Sequence, residues 1–235
     1  MFVRDYMTRH PIMVEPDTSI LEVQGIMSEN NIRHVPVVET GKRLAGLVTR
    51  QNLRVSPTEL ASLNVWEITR RLSSLRARDV MVRARDIITI GPDTPIEEAA
   101  HVMVKRKVGC LPVVEGGKAP VPSRGEAPMQ ARGVVMGIIT ELDLLTQLTN
   151  LLGAQVPGWR ATVRVPDRAG EFARITAAVA SRGWGIDAAG SLPAPRQPGF
   201  WDVVIKIGAA TRDELVDVLQ QIEGHEIIDV RETGP

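Results

Sequence analysis

One cysteine, Cys110, is present in 235 residues, which excludes an intramolecular disulfide and any cysteine-rich zinc site. It lies in the apolar run VGCLPVV, where a thiol packs as a small inert hydrophobe rather than acting as a nucleophile. Net charge is lacking as well. The 28 basic residues balance 28 acidic ones, so no global field draws the chain to nucleic acid or to an anionic membrane. No run of about 18 apolar residues occurs. The opening MFVRDYMTRHPIMV has neither an apolar signal core nor an export cleavage pattern, and the expectation is a cytoplasmic protein. His10, His34, His101 and His225 show no metal-ligand spacing, and no Ser or Cys sits in a recognisable nucleophile turn. Neither catalysis nor a catalytic cofactor or metal is therefore expected. Arg70, Arg71, Arg76 and Arg78 cluster, but without a helix-turn-helix, an aromatic platform or a basic stripe they read as a solvated helix face.

What is present is a repeat, in a chain long enough for two domains. Arg4-Asp5 with Met7 maps onto Arg78-Asp79 with Met81, Pro16-Asp17-Thr18 onto Pro92-Asp93-Thr94, and Val35-Pro36-Val37-Val38 onto Leu111-Pro112-Val113-Val114. Each copy predicts a short strand (Ile12 to Val14; Ile87 to Ile90), then a helix opened by Pro-Asp-Thr with the Thr as N-cap. Ile20, Val23, Ile26 and Met27, and likewise Ile96, Ala99, Ala100, Val102 and Met103, recur near the 3.6 period that makes an apolar face. Two β-rich runs and a last helix complete βαββα. Such a unit is too small to cover both faces of its sheet, so the copies are expected to pair.

Between the copies, SPTELASLNVWEITRRL predicts a packed helix with Ser56 as N-cap, Pro57 at the first position and Glu59 closing the box. The second copy carries a Gly/Pro-rich insertion over 115–133 that reads as a long hairpin loop. From Trp159 onward the pattern changes. Alternating runs and two amphipathic helices follow, one with Phe172, Ile175, Ala178 and Val179 inward, the other with Leu215, Val218, Leu219 and Ile222 inward behind a Thr211/Glu214 capping box. The order βαββαβ is the split βαβ, ferredoxin-like arrangement, and the class is α+β. The predicted organisation is repeat 1 over 1–55, a joint over 56–76, repeat 2 over 77–150, a linker over 151–158 and a last domain over 159–235.

Thr140 and Asp143, in GIITELDLL, have the spacing of a reciprocal helix cap. The repeat maps them onto Thr49 and Asn52, and a cap alone needs no such company.

These ordered landmarks resemble a CBS-domain pair (a Bateman module), and the tail, through VPDRAGEFARITAAVASRGWGI, resembles an ACT domain. Their order, with the VWEITRRLSSLRARDVM joint, is similar over nearly the whole chain to the acetoin-utilisation protein B family of bacterial CBS–CBS–ACT proteins. The resemblance implies a non-catalytic regulatory sensor that binds AMP, ADP, ATP or S-adenosylmethionine in clefts between the copies. A carboxylate only accepts, so Asp143 can receive both ribose hydroxyls while Thr140 and helix N–H groups face a phosphate. In copy one the acid is replaced by the neutral Asn52. By the family's pattern the stronger site is Thr140, Asp143, Arg33, His34, Ile87, Ile88, Val35 and Pro36. The weaker is Thr49, Asn52, Ile12, Met13, Leu111 and Pro112, with Gly109 and Cys110 where a cation would stand. As single residues the apolar members read as ordinary core. The ACT resemblance implies a small-molecule loop, Asp167, Arg168, Ala169 and Gly170, for an amino acid at an interface between two such domains. Family members usually carry Asn where this chain has Gly185, so a purely dimerising role stands beside amino-acid binding. A homodimer and a partner enzyme of acetoin or central carbon metabolism are expected by association. A ligand-free dimerisation scaffold is the alternative function, and a DNA-associated regulator ranks below both.

Overall fold

The computed structural model of the chain describes residues 1–53, 74–117 and 133–234. The expected helix start at Ser56, Pro57 and Glu59, the arginines Arg70 and Arg71, and most of the 115–133 insertion lie outside the described residues. The chain divides into two units, Met1–Leu144 and Leu145–Pro235. That division falls later in sequence than the second repeat's expected βαββ body and earlier than the expected linker, because it lies within one helix, Glu141–Leu151.

In the first unit the elements are α1 (Val3–Tyr6), β1 (Thr8–Arg9), α2 (Ile20–Glu29), β2 (His34–Glu39) and β3 (Arg43–Thr49). They are followed by α3 (Ala77–Val80), β4 (Val82–Arg83), α4 (Ile96–Arg106), β5 (Cys110–Val114), β6 (Val135–Thr140) and the start of α5 (Glu141–Leu151). The two three-stranded sheets have the orders β2-β3-β4 and β1-β6-β5. Each therefore ends in a strand from the other repeat: Thr8 pairs with Ile138, and Leu47 pairs with Val82. The exchange extends to the helices. Val3 N–H donates to Thr94 and Ala77 N–H to Thr18, at 2.8 and 2.9 Å, while Arg4 pairs with Asp93 and Arg78 with Asp17.

The expected strands at Ile12 to Val14 and Ile87 to Ile90 shrink to single parallel bridges, Val14 with Val37 and Ile90 with Val113. Val14 N–H donates to Pro36 O, and Val38 N–H donates to Val14 O. A further step of that ladder would need an N–H on Pro36, and its counterpart one on Pro112; proline has none. The helix starts also differ from expectation. The cap of α2 is Ser19, whose hydroxyl accepts from Glu22 N–H at 3.2 Å, while Thr18 accepts from Glu15 N–H; α4 begins after Pro95 rather than Thr94.

Three apolar clusters follow from this exchange. Val3 packs with Ile96, Val102, Leu111 and Ile139 of the second repeat, and Ala77 packs with Val23, Met27, Val35 and Val48 of the first. Between the repeats, Leu44, Leu47, Ile87, Cys110 and Ile138 form a shared seam. Burial raises the Cys110 thiol to about 12, in keeping with an inert packing role.

The second unit holds β7 (Gly158–Pro166), α6 (Glu171–Ser181), β8 (Ala188–Pro193), β9 (Phe200–Ile207), α7 (Arg212–Gln220) and β10 (Glu226–Thr233). Its antiparallel sheet has the order β10-β7-β9-β8. Val163, Val165, Val203, Ile205 and Ile207 turn one sheet face to Ile175, Val179, Leu215 and Leu219. Phe172, expected inward, is 40% exposed, since it stands in the first turn of α6, short of the sheet-facing positions Ile175 and Val179. The opposite sheet face carries Arg164, bidentate to Asp202 at 2.8 and 3.0 Å. Thr211 and Glu214 form the capping box at the start of α7.

Candidate functional site

At the β6–α5 junction the carboxylate of Asp143 accepts from both Thr140 N–H and the Thr140 hydroxyl, at 2.8 and 2.7 Å, and Asp143 N–H donates back at 3.4 Å. One carboxylate oxygen, Oδ2, takes both bonds, which leaves Oδ1 as an acceptor for other groups. At the junction after β3 the geometry repeats. Asn52 Oδ1 accepts from Thr49 N–H and from its hydroxyl, at 3.2 and 2.6 Å. Here the amide uses its only oxygen for the cap, so what remains for other groups is an NH2, a donor.

Each junction faces a cavity within the first unit. The cavity at Thr140 and Asp143 is 460 Å³ and takes Thr8, His10 and Ile12 from the swapped segment and Asn31, Arg33 and His34 from the first repeat. The cavity at Thr49 and Asn52 is 730 Å³ and takes Val82, Asp86, Ile87 and Ile88 from the other swapped segment, with Lys107, Gly109 and Cys110 from the second repeat. Arg33, His34, Gly109 and Glu141 line both and form the wall between them. Burial and the nearby Arg33 hold His34 below its usual value, against the pull of Glu141.

The sequence reading paired the apolar residues with the wrong junctions. Ile87 and Ile88 line the Asn52 cavity, and Ile12 lines the Asp143 cavity, because each swapped segment crosses to the opposite repeat's last strand. Val35 and Leu111 are fully buried core residues, while Pro36 and Pro112 sit mid-strand and Met13 lies against the seam; none of the five lines either cavity. The Asn52 cavity also does not lack cations, since Arg50 and Lys107 line it beside Arg33. Sequence reasoning missed His10, Asn31, Arg50, Asp86, Lys107 and Glu141. Several stand one or two places from a motif it did find, and His10, Asn31 and Lys107 adopt the left-handed backbone that is uncommon for such residues, at φ 50°, 51° and 54°.

In the second unit the loop Asp167, Arg168, Ala169 and Gly170 leads into α6, with Gly170 at φ 93°. The carboxylate at this helix start is the chain's own, Glu171. Glu171 is 5% exposed and accepts from Arg168 at 2.6 and 2.9 Å, Arg174 at 3.0 Å and His225 Nε2 at 2.6 Å. The His225 bond first, then Arg168 and Arg174, hold Glu171 down at about 2. Gly185 is exposed, with open space beside it.

The CBS domain model matches residues 3–56 and 77–121. A crystal structure described as a candidate acetoin utilization protein (AcuB) from Vibrio cholerae is 31% identical, with 65% of this chain and 93% of that chain covered and a TM-score of 0.49. The CBS domain pair of another protein, crystallised with 5′-methylthioadenosine and S-adenosyl-L-methionine, is 24% identical, covering 63% of this chain and 95% of that one at a TM-score of 0.45. An inosine-5′-monophosphate dehydrogenase of Korarchaeum cryptofilum is 31% identical over 109 residues, 46% of this chain and 19% of that protein. The chain spans less than half the length of the curated relatives it matches.

Proposed function

From the premise that residues 3–56 and 77–121 of this chain are CBS domains, we propose that it is a non-catalytic regulatory sensor of an adenosine-containing ligand, an adenine nucleotide or an S-adenosyl compound. The observation that carries this reading is the pair Thr140 and Asp143 at the start of α5. The pair lines a 460 Å³ cavity together with Arg33 and His34 from the opposite repeat, and the cap occupies only one of the two carboxylate oxygens. A carboxylate oxygen takes the two ribose hydroxyls, and a ligand that touches both repeats favours one relative arrangement of them over others. The second unit, with its βαββαβ order, is read as an ACT-like domain that responds through α5, with Asp167 to Gly170 as its loop for an amino acid. The regulated partner is an enzyme of acetoin or central carbon metabolism, and the setting is cytoplasmic.

A dimerisation role accompanies this reading, because α5 exposes Leu145 and Leu148 by 54% and 49%. Apolar residues three apart share a helix face, and such a face on a second copy would cover it. A ligand-free scaffold would keep the dimer and bind no nucleotide. The test is a thermal-shift and calorimetric panel of AMP, ADP, ATP, S-adenosylmethionine and amino acids on the wild type and Asp143→Ala. Ligand at ~100 times its Kd stabilises by about 2.7 kcal/mol, several degrees for a chain of this size. Binding lost in Asp143→Ala supports the sensor; a wild type that binds no adenosine compound by either method overturns it in favour of the scaffold.

A further inference from the structure

We propose that the two cavities sort adenosine ligands by charge: the Thr49/Asn52 cavity takes a nucleoside polyphosphate, and the Thr140/Asp143 cavity takes an adenosyl ligand without phosphates. This deepens the sensor reading above and rests on it. The repeat makes the two cavities comparable position by position, and three substitutions between them run in one direction, against one, Asp86 for His10, that runs the other way.

At the junctions, Asp143 offers a free acceptor where Asn52 offers a donor pair, as their hydrogen bonds to Thr140 and Thr49 require. An acceptor suits the hydroxyls of a ribose; an amide at the same place adds donors and no negative charge, which suits a cavity that must also admit a polyanion. One residue beyond each threonine, Glu141 in one copy stands where Arg50 stands in the other, and their backbone N–H groups make matching bonds to Gly109 O and Arg33 O at 3.0 and 2.9 Å. Lys107 stands beside the larger cavity where Asn31 stands beside the smaller.

The charge balance follows. Among the described residues around the Asn52 cavity, three cations, Arg33, Arg50 and Lys107, face two carboxylates, Asp86 and Glu141. Among those around the Asp143 cavity, one cation, Arg33, faces two carboxylates, Glu141 and Asp143. A polyphosphate carries several negative charges and enters the first with attraction and the second against repulsion. The volumes agree, 730 Å³ against 460 Å³, with the larger space where the larger ligand belongs. Adenosine or the cationic S-adenosylmethionine fits the balance of the smaller.

The test is titration calorimetry of the full chain with ATP and with adenosine, on the wild type and on Asp143→Asn, Asn52→Asp, Arg50→Gln and Lys107→Gln. The Asp/Asn exchanges keep the cap oxygen that each threonine needs, and a melting scan of each variant verifies folding. The expected result is one ATP and one adenosine per chain, bound together. ATP weakens about tenfold in Asn52→Asp, Arg50→Gln and Lys107→Gln and is unchanged in Asp143→Asn; adenosine shows the reverse. Mutual competition, or one set of variants weakening both ligands, overturns the sorting and leaves the sensor reading intact. A wild type that binds neither ligand overturns both.

Discussion

Gly137 of β6 lies against the backbone of Thr8, so near that a β-carbon on the glycine would stand 2.9 Å from the Thr8 carbonyl oxygen. Gly46 meets Val82 O in the same way, at 2.8 Å. These two approaches let each swapped segment lie flat across the other repeat's sheet. The Met7 and Met81 side chains come nearer still and can swing aside, but the two carbonyl oxygens are backbone and cannot. Gly137→Ala and Gly46→Ala are each expected to destabilise the first unit by about 1–3 kcal/mol. Urea unfolding checks this, and an unchanged midpoint would contradict the close approach.

Asp143→Ala removes a helix cap as well as a ligand group. An expected loss of about 1 kcal/mol in the absence of ligand follows from the two bonds that Thr140 gives to its carboxylate. Asp143→Asn, which retains an acceptor oxygen for them, is expected to lose less than half of that in the same unfolding measurement.

His34 is held below its ordinary value first by burial, so the fold favours its neutral form. Its contribution to stability is present above the unfolded value of about 6.5 and is lost as pH falls through the lowered folded value. His34→Gln is expected to flatten the fall in melting temperature between pH 7 and pH 5. A bound polyphosphate would draw a proton onto the ring. Calorimetry of ATP binding near pH 6, in two buffers of different ionisation enthalpy, is expected to register proton uptake that His34→Gln abolishes.

Glu171 gives the second unit an acid limit of its own. Its folded value of about 2 lies below the ordinary 4.5, so its stabilising effect is complete above about 4.5 and disappears as pH falls toward 2. The wild type is expected to lose melting temperature steeply across that window, and Glu171→Gln to start lower and fall less. Equal slopes for the two proteins would remove Glu171 from the account.

The exposed leucines of α5 predict the effect of charge on assembly. Leu145→Glu with Leu148→Glu is expected to halve the mass seen by light scattering, with the circular dichroism unchanged. A wild type of one-chain mass at every concentration would exclude the dimer.

Much of this was legible in the residues because it is local. The apolar period of α2 and α4, the Thr211/Glu214 box and the Thr140/Asp143 pair all lie within four residues or on one helix face, where sequence spacing is spatial proximity. The exchange of segments was not legible. Thr8–Arg9 and Val82–Arg83 are two-residue strands with no alternation to announce a partner. Missing them assigned Ile12 and Ile87 to the wrong cavities. The prolines at 36 and 112 were in plain view, but their effect on the neighbouring strand depends on a parallel register that emerges only in three dimensions.

The pairing of Thr8 with Ile138 has a consequence during synthesis. The first strand has no edge to join until the chain has been extended to residue 138, long after it has left the ribosome. At roughly 5–20 residues per second that wait is on the order of ten seconds. Through that interval β1 has no strand to join and Val3 stands outside the cluster it completes, whereas β4 and Ala77 reach the first repeat as soon as residues 77–83 have emerged. The sheet β2-β3-β4 can therefore close first, and the segment that opens the chain is held back to close the other sheet last.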